Sequence, residues 1–262
     1  MFTLLDSKLG QNVVWAVGLV SDYSLALNES EITTTSSDII QWLENHENSS
    51  VLYISFGSQD TISKSQIMEL ATIGLEKSDK NFIWVIRPPL GFDINVEFRS
   101  EWLPGGFEER MKEKNKGLLV RKCAPQLEIL SHKSTSVFLS HCRWNSVLES
   151  LYFGVPIIGW SLSADQPSNS RLLEEEIGVC VELAKGNRNE VKHEDVVRLL
   201  DLVMNKKDLE MRKKAFKIRE MIKNAIREDE GLEGSSVKGI KKFFEAALLR
   251  KKEMMKMGRH GN

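Results

Sequence analysis

Six short apolar runs, each followed by a stretch of helical or charged pattern, dominate the sequence from residue 51 to residue 183. Val51-Leu52-Tyr53-Ile54-Ser55-Phe56 is β-branched and aromatic and stops at Gly57, so it reads as a strand buried on both faces. A helix is expected over 64–77, with Ser63 and Gln66 spaced as in a capping box. Phe82-Ile83-Trp84-Val85-Ile86 is the next strand, closed by Arg87-Pro88-Pro89. Pro104-Gly105-Gly106 falls in a loop. Further strands are expected at 117–120, 137–140, 155–160 and 178–183, with helices at 125–131, 145–153 and 169–176. From His193 the pattern is helical and highly charged, broken between Gly231 and Gly234.

Strands alternating with helices imply an α/β fold, a Rossmann-like parallel sheet flanked by helices. Right-handed crossovers place the loops after the strands along one edge. Ligands of such sheets bind outside the carboxyl ends of the strands. The loops at 57–58, 122–126, 140–146 and 161–166 are therefore expected to converge. The sequence divides on this reading into a leading segment 1–20, a Rossmann-like domain 21–230 and a terminal helix with a basic tail, 231–262.

Charge narrows the partners. Thirty-six basic residues face 37 acidic ones, a net charge of −1, so no global field selects nucleic acid or a membrane surface. Lys241-Lys242 and Arg250-Lys251-Lys252 fit either a basic binding tail or a solvated helix face. No run has the length of a membrane helix, and the first residues lack the form of a secretory signal. Cys123, Cys142 and Cys180 form no disulfide framework, which favours a reducing, cytoplasmic setting. The five histidines lack metal-ligand spacing, and no metal or cofactor is expected. Signatures of P-loops, of G-x-G-x-x-G dinucleotide sites and of nucleophile elbows are absent.

Three segments carry candidate chemistry, each with a purely structural alternative. In Ser140-His141-Cys142-Arg143-Trp144-Asn145-Ser146-Val147-Leu148-Glu149, a strand runs into a helix whose free N–H groups suit phosphate. Ser146-x-x-Glu149 is equally a capping box that needs no ligand. Ser55-Phe56-Gly57-Ser58 repeats the pattern of strand, glycine turn and hydroxyl, or is an ordinary turn. Asp165-Gln166 offers the mixed donors and acceptors that sugar hydroxyls require, or is a helix cap. Gln126 after Pro125 is ambiguous in the same way.

Taken together, the stretch 123–166 resembles the signature box of plant family 1 UDP-glycosyltransferases. The matching residues are Ala124-Pro125-Gln126, Ile129-Leu130, His132, Phe138, His141-Cys142, Trp144-Asn145-Ser146, Glu149, Gly154-Val155-Pro156 and Asp165-Gln166. The likeness extends to Ser55-Phe56-Gly57-Ser58, Phe82-Ile83-Trp84-Val85, Leu103-Pro104, Gly106-Phe107 and Gly234-Ser235-Ser236. It implies the carboxy-terminal, donor-binding half of a GT-B enzyme. Position 123, with Ala124 and Gln126, would then meet uracil and ribose, and Glu149 the ribose hydroxyls. Ser55, Ser58, His141, Asn145 and Ser146 would hold the diphosphate; Arg143, beside them where the family has glycine, would either pair with phosphate or fill the place where phosphate should sit. Trp144, Asp165 and Gln166 would address the sugar, and Gln166 resembles glucose-using members.

The resemblance also implies inverting transfer of a hexose from a UDP-sugar, UDP-glucose by expectation, to a small hydroxylated acceptor. The general base would be a histidine of the amino-terminal domain, so no catalytic residue is assigned here. The chain is expected to begin near the interdomain linker, at Val13-Val14-Trp15-Ala16-Val17-Gly18. Four residues depart from the family pattern. Cys123 stands for a uracil-stacking tryptophan, Arg143 and Ser136 for glycines, and Ser161 for a proline. If position 143 is left-handed, a side chain there costs about 1–2 kcal/mol. Three readings follow: the donor half of an enzyme, a catalytically inactive truncated remnant with weak or no UDP binding, and an unrelated α/β nucleotide-binding module.

Overall fold

The computed structural model describes residues 34–257 apart from 122, 187–190, 192, 205–208 and 230. The expected leading segment 1–20, its linker at Val13–Gly18 and the first residue of the 122–126 loop lie outside the described residues. The described residues fall into two units, 34–219 and 220–257.

In the first unit the chain runs α1 (Thr34–Glu44), β1 (Val51–Ser55), α2 (Lys64–Glu69), β2 (Asn81–Val85), α3 (Phe107–Glu113), β3 (Gly117–Val120), α4 (Gln126–Ser131), β4 (Thr135–Ser140), α5 (Trp144–Phe153), β5 (Ile157–Ser161), α6 (Gln166–Arg171), β6 (Cys180–Lys185) and α7 (His193–Met204). α8 (Leu209–Ile226) crosses the boundary at 219/220. The second unit adds a two-stranded antiparallel pairing of Glu228–Asp229 with Leu232–Glu233, and α9 (Ser235–Met257). Lys241 Nζ is paired with Glu228 and Glu233 there.

Six strands form one parallel sheet in the order β3-β2-β1-β4-β5-β6. Period-two alternation sends successive side chains to opposite faces. Leu52, Ile54, Phe82, Trp84 and Leu139 pack on one face with α2, α3 and α7, through Ile67, Phe107, Met111, Val196 and Leu200. Val51, Tyr53, Ile83, Val85 and Phe138 pack on the other with Ile39 and Leu43 of α1 and Ile129 and Leu130 of α4. Both faces are covered, which is why the strands read as unbroken apolar runs.

The expected strands form with small shifts in their ends. β5 begins at Ile157 and not at residue 155, because Pro156 has no N–H for the ladder and supplies only its carbonyl, to Phe138 N at 3.0 Å. α6 begins at Gln166 and not at residue 169, with Pro167 in its first turn, where proline costs no hydrogen bond. The capping box at α2 forms as expected, Ser63 Oγ accepting from Gln66 N and Gln66 Oε1 from Ser63 N. Two helices were not anticipated, α1 and α3.

Candidate functional site

The chain winds outward from β1 to β3, then returns to place β4 on the other side of β1 and winds outward again to β6. The carboxyl ends of β1 and β4 mark the switch point, where the connecting helices part to opposite faces and leave a crevice. Every candidate segment identified in the sequence ends at or beside this edge.

Gly57 forms one wall. Its φ is +80°, and a Cβ there would stand 2.7 Å from His141 Nε2, so glycine is required both for the turn and for the imidazole lying on it. Ser55 is buried beneath, its Oγ accepting from Gly57 N at 3.3 Å. Arg87 Nε donates to Gly57 O at 3.0 Å from the loop after β2. Ser58 is exposed on the turn.

His141 forms the floor. It is 2% exposed, and its Nδ1 has no hydrogen-bond partner among the described residues. Burial lowers its pKa to about 4, with Asp60 opposing and Arg143 assisting, so the ring is neutral at pH 7. A buried polar atom without a partner calls for an explanation, and a ligand supplies one.

α5 starts next to it. Arg143 is its N-cap, at φ −65° and ψ 140°, and no side chain caps the helix. The first helical bond is Val147 N to Arg143 O, 3.0 Å, which leaves the N–H groups of Trp144, Asn145 and Ser146 without an intrahelical acceptor. The alternative reading of Ser146 and Glu149 as a capping box fails, because Ser146 lies inside the helix and Glu149 bonds elsewhere. Strain at Arg143 is absent too. The left-handed residue is Cys142, φ 62°, steadied by Cys142 N on Ser140 Oγ (3.1 Å) and by Asn169 Nδ2 on Cys142 O (3.0 Å). Trp144 and Asn145 are exposed.

Gln126 closes one end of the crevice. Its Oε1 accepts from Tyr53 Oη at 3.1 Å, and its Nε2 donates to Glu149 Oε2 at 2.6 Å and to Ser146 Oγ at 3.4 Å. Burial raises the Glu149 pKa, and the Gln126 bond opposes that. Cys123 is exposed, and Ala124 is half-buried against the core.

Gln166 closes the other end and is fully buried. Its Oε1 accepts from Leu162 N (2.8 Å) and Ser163 N (3.0 Å), and its Nε2 donates to Asp60 Oδ2 (2.8 Å). In this arrangement Gln166 shapes its own loop. Asp165 is exposed, at the N-cap position of α6, and its Oδ2 accepts from Asn169 Nδ2 at 2.8 Å. Sequence reasoning missed Asp60, which joins the loop after β1 to those after β4 and β5. Arg87, Tyr53 and Asn169 were missed as well. Arg87 could have been signalled by its place just past β2, whereas Tyr53 lies in the middle of β1 and Asn169 inside α6, where no sequence pattern marks a site residue. No group of three or more potential metal ligands occurs among the described residues, and no described helix is long and apolar enough to cross a membrane.

The family model described as UDP-glucoronosyl and UDP-glucosyl transferase matches residues 22–224. UDP-glycosyltransferase 92A1 of Arabidopsis thaliana is 45% identical over 245 residues, covering 92% of this chain and 49% of that protein. Zeatin O-xylosyltransferase of Phaseolus vulgaris is 40% identical over 233 residues, covering 87% of this chain and 50% of that protein. Among solved structures, Phytolacca americana UGT2 complexed with UDP-2fluoro-glucose and pterostilbene superposes with a TM-score of 0.78 at 33% identity, covering 94% of this chain and 51% of that one. The chain thus spans about half the length of the relatives it matches.

Proposed function

This chain belongs to the UDP-glycosyltransferase family, and from that premise we propose that it supplies the UDP-sugar-binding half of an enzyme that transfers a hexose to a hydroxyl of a small acceptor. The observation that carries the proposal is the uncapped start of α5 over the buried His141, whose Nδ1 has no hydrogen-bond partner among the described residues, facing the Gly57 turn across the switch point. Those groups suit a diphosphate. The N–H donors and the positive helix end bind it without a metal or cofactor, and neutral His141 adds one donor. Ser58, Asn145 and Ser146 border the same place, with Ser55 shaping it from below.

The nucleoside would lie toward Ala124, Gln126 and Glu149. Glu149 accepts from ribose hydroxyls once Gln126 turns, and Ala124 and Cys123 border the base. The hexose would lie toward Trp144, Asp165 and Gln166. Glucose is the proposed sugar, on the glutamine at 166 and the resemblance it carries. The acceptor and the general base would be held by the other half of the family architecture, beyond the half that this chain matches.

A second reading, an inactive remnant with weakened nucleotide binding, is favoured by one observation. Cys123 is exposed where the resemblance expects an aromatic face for uracil. Base–aromatic stacking is worth about 1–3 kcal/mol. Calorimetric titration with UDP and UDP-glucose separates the readings. A functional donor half binds both, and Cys123→Trp tightens UDP by about tenfold or more. A remnant binds both weakly or not at all until tryptophan is introduced, and a chain that binds neither even then does not hold a donor site.

A further inference from the structure

A guanidinium stands at the end of α5 where a cation is least welcome. The helix N-terminus is already positive, Arg143 is its N-cap, and the first turn holds no acidic residue. The counter-charge comes from across the crevice. Arg143 Nη2 lies 3.4 Å from Asp60 Oδ2, and Nη1 donates to Gln59 Oε1 at 3.0 Å. The Asp60 contact is long beside the about 2.7–2.9 Å of a well-made guanidinium–carboxylate bond. The Arg143 side chain is 37% exposed. Asp60 is held more firmly, its Oδ2 accepting from Gln166 Nε2 at 2.8 Å and its Oδ1 from Ser163 Oγ at 3.3 Å. The carboxylate is fixed by the loop after β5, and the guanidinium is the movable partner.

We propose that Arg143 is the counter-ion of the donor diphosphate and that Asp60 is its holding partner. On binding, the guanidinium exchanges the carboxylate for phosphate oxygens, which its planar fork meets two at a time, while Asp60 continues to position Gln166. The proposal rests on the reading of the crevice as a UDP-sugar site and assigns the charge that governs it. It also gives the two members of the pair opposite effects. Arg143 favours the diphosphate, whereas Asp60 competes for the guanidinium and repels the incoming anion.

The test is calorimetric titration of the full chain with UDP and with uridine, at low and moderate salt, for the wild type, Arg143→Ala and Asp60→Asn. Asparagine can still accept from Gln166 and donate to Ser163 Oγ, so the loop keeps its bonds. Arg143→Ala is expected to lower the preference for UDP over uridine by about tenfold and to flatten its salt dependence. Asp60→Asn is expected to raise that preference several-fold. Uridine affinity reports folding, and Arg143→Gln, of similar volume, repeats the test if Arg143→Ala loses uridine as well. An unchanged preference in the Arg143 variants, or a lowered one in Asp60→Asn, overturns the proposal. Failure of the wild type and of Cys123→Trp to bind either ligand overturns the UDP-site reading beneath it.

Discussion

Three left-handed residues stand just past the strands that border the crevice: Gly57 after β1, Cys142 after β4 and Ala164 after β5, at φ 80°, 62° and 52°. The hand lets each strand stop abruptly and the next segment turn across the sheet edge. Gly57 was legible because glycine announces such a turn. Cys142 and Ala164 were not, since nothing in a cysteine or an alanine signals positive φ. Ser136 is accommodated by Arg212, whose Nη1 and Nη2 donate to its carbonyl and hydroxyl at 3.1 and 2.6 Å. Ser161 is fully buried with its hydroxyl unpartnered among the described residues, a cost of about 1–3 kcal/mol where a proline would carry none. His141 gives a prediction at this scale. Its pKa is about 4 folded, against about 6.5 for a free imidazole. Between those values the unfolded chain binds the proton and the folded chain does not, so stability falls as pH drops through that window. The loss should reach about 2–3 kcal/mol. Urea unfolding at about pH 7 and about pH 4.5 checks it, because the wild type should lose that much relative to His141→Asn. A pH-independent difference would contradict a buried neutral ring.

At the scale of elements, strands and long helices were legible and short helices were not. β1, β2 and β4 are rich in β-branched and aromatic residues and end at turn residues, so pattern alone placed them. α2 declared its start through Ser63 and Gln66. α3 has seven residues, and its buried pair Phe107 and Met111 shows a single helical repeat behind a Pro-Gly-Gly loop. α1 is anchored by Ile39 and Leu43, also one repeat, and its burial depends on α4 and the sheet, far away in sequence. Neither offered enough periodicity to read. The π-helical turns at Leu70–Leu75 and Leu172–Ile177, which continue α2 and α6, have no sequence mark at all. Gly117 tests the packing of β3. A Cβ there would lie 2.3 Å from Phe82 Cζ, in the middle of the core between β2 and α3. Gly117→Ala is expected to destabilise the chain by about 1–3 kcal/mol through displacement of that ring. A thermal or urea midpoint equal to that of the wild type would show that the ring is free to move.

For the whole molecule, the parallel α/β architecture followed from alternation and handedness, and the convergence of loops followed from the architecture. The order β3-β2-β1-β4-β5-β6 did not, because apolar runs of similar composition do not say which strands are neighbours. What the order adds is the switch point, and with it the reason that residues from 57 to 166 share one crevice. Side chains within it were legible by type and not by partner. Gln126 with Glu149, and Arg143 with Asp60, are pairings of segments that only the fold brings together. With a net charge of −1 over 262 residues, such local pairs govern how an anionic ligand is received. The most direct test of the account is amide NMR of the isotopically labelled chain during titration with UDP. The predicted result is a set of shifts confined to the crevice, led by Gly57, Ser58, Asn145 and Ser146 and reaching Gln126. Shifts centred elsewhere on the sheet, or a spectrum that UDP leaves unchanged, would contradict it.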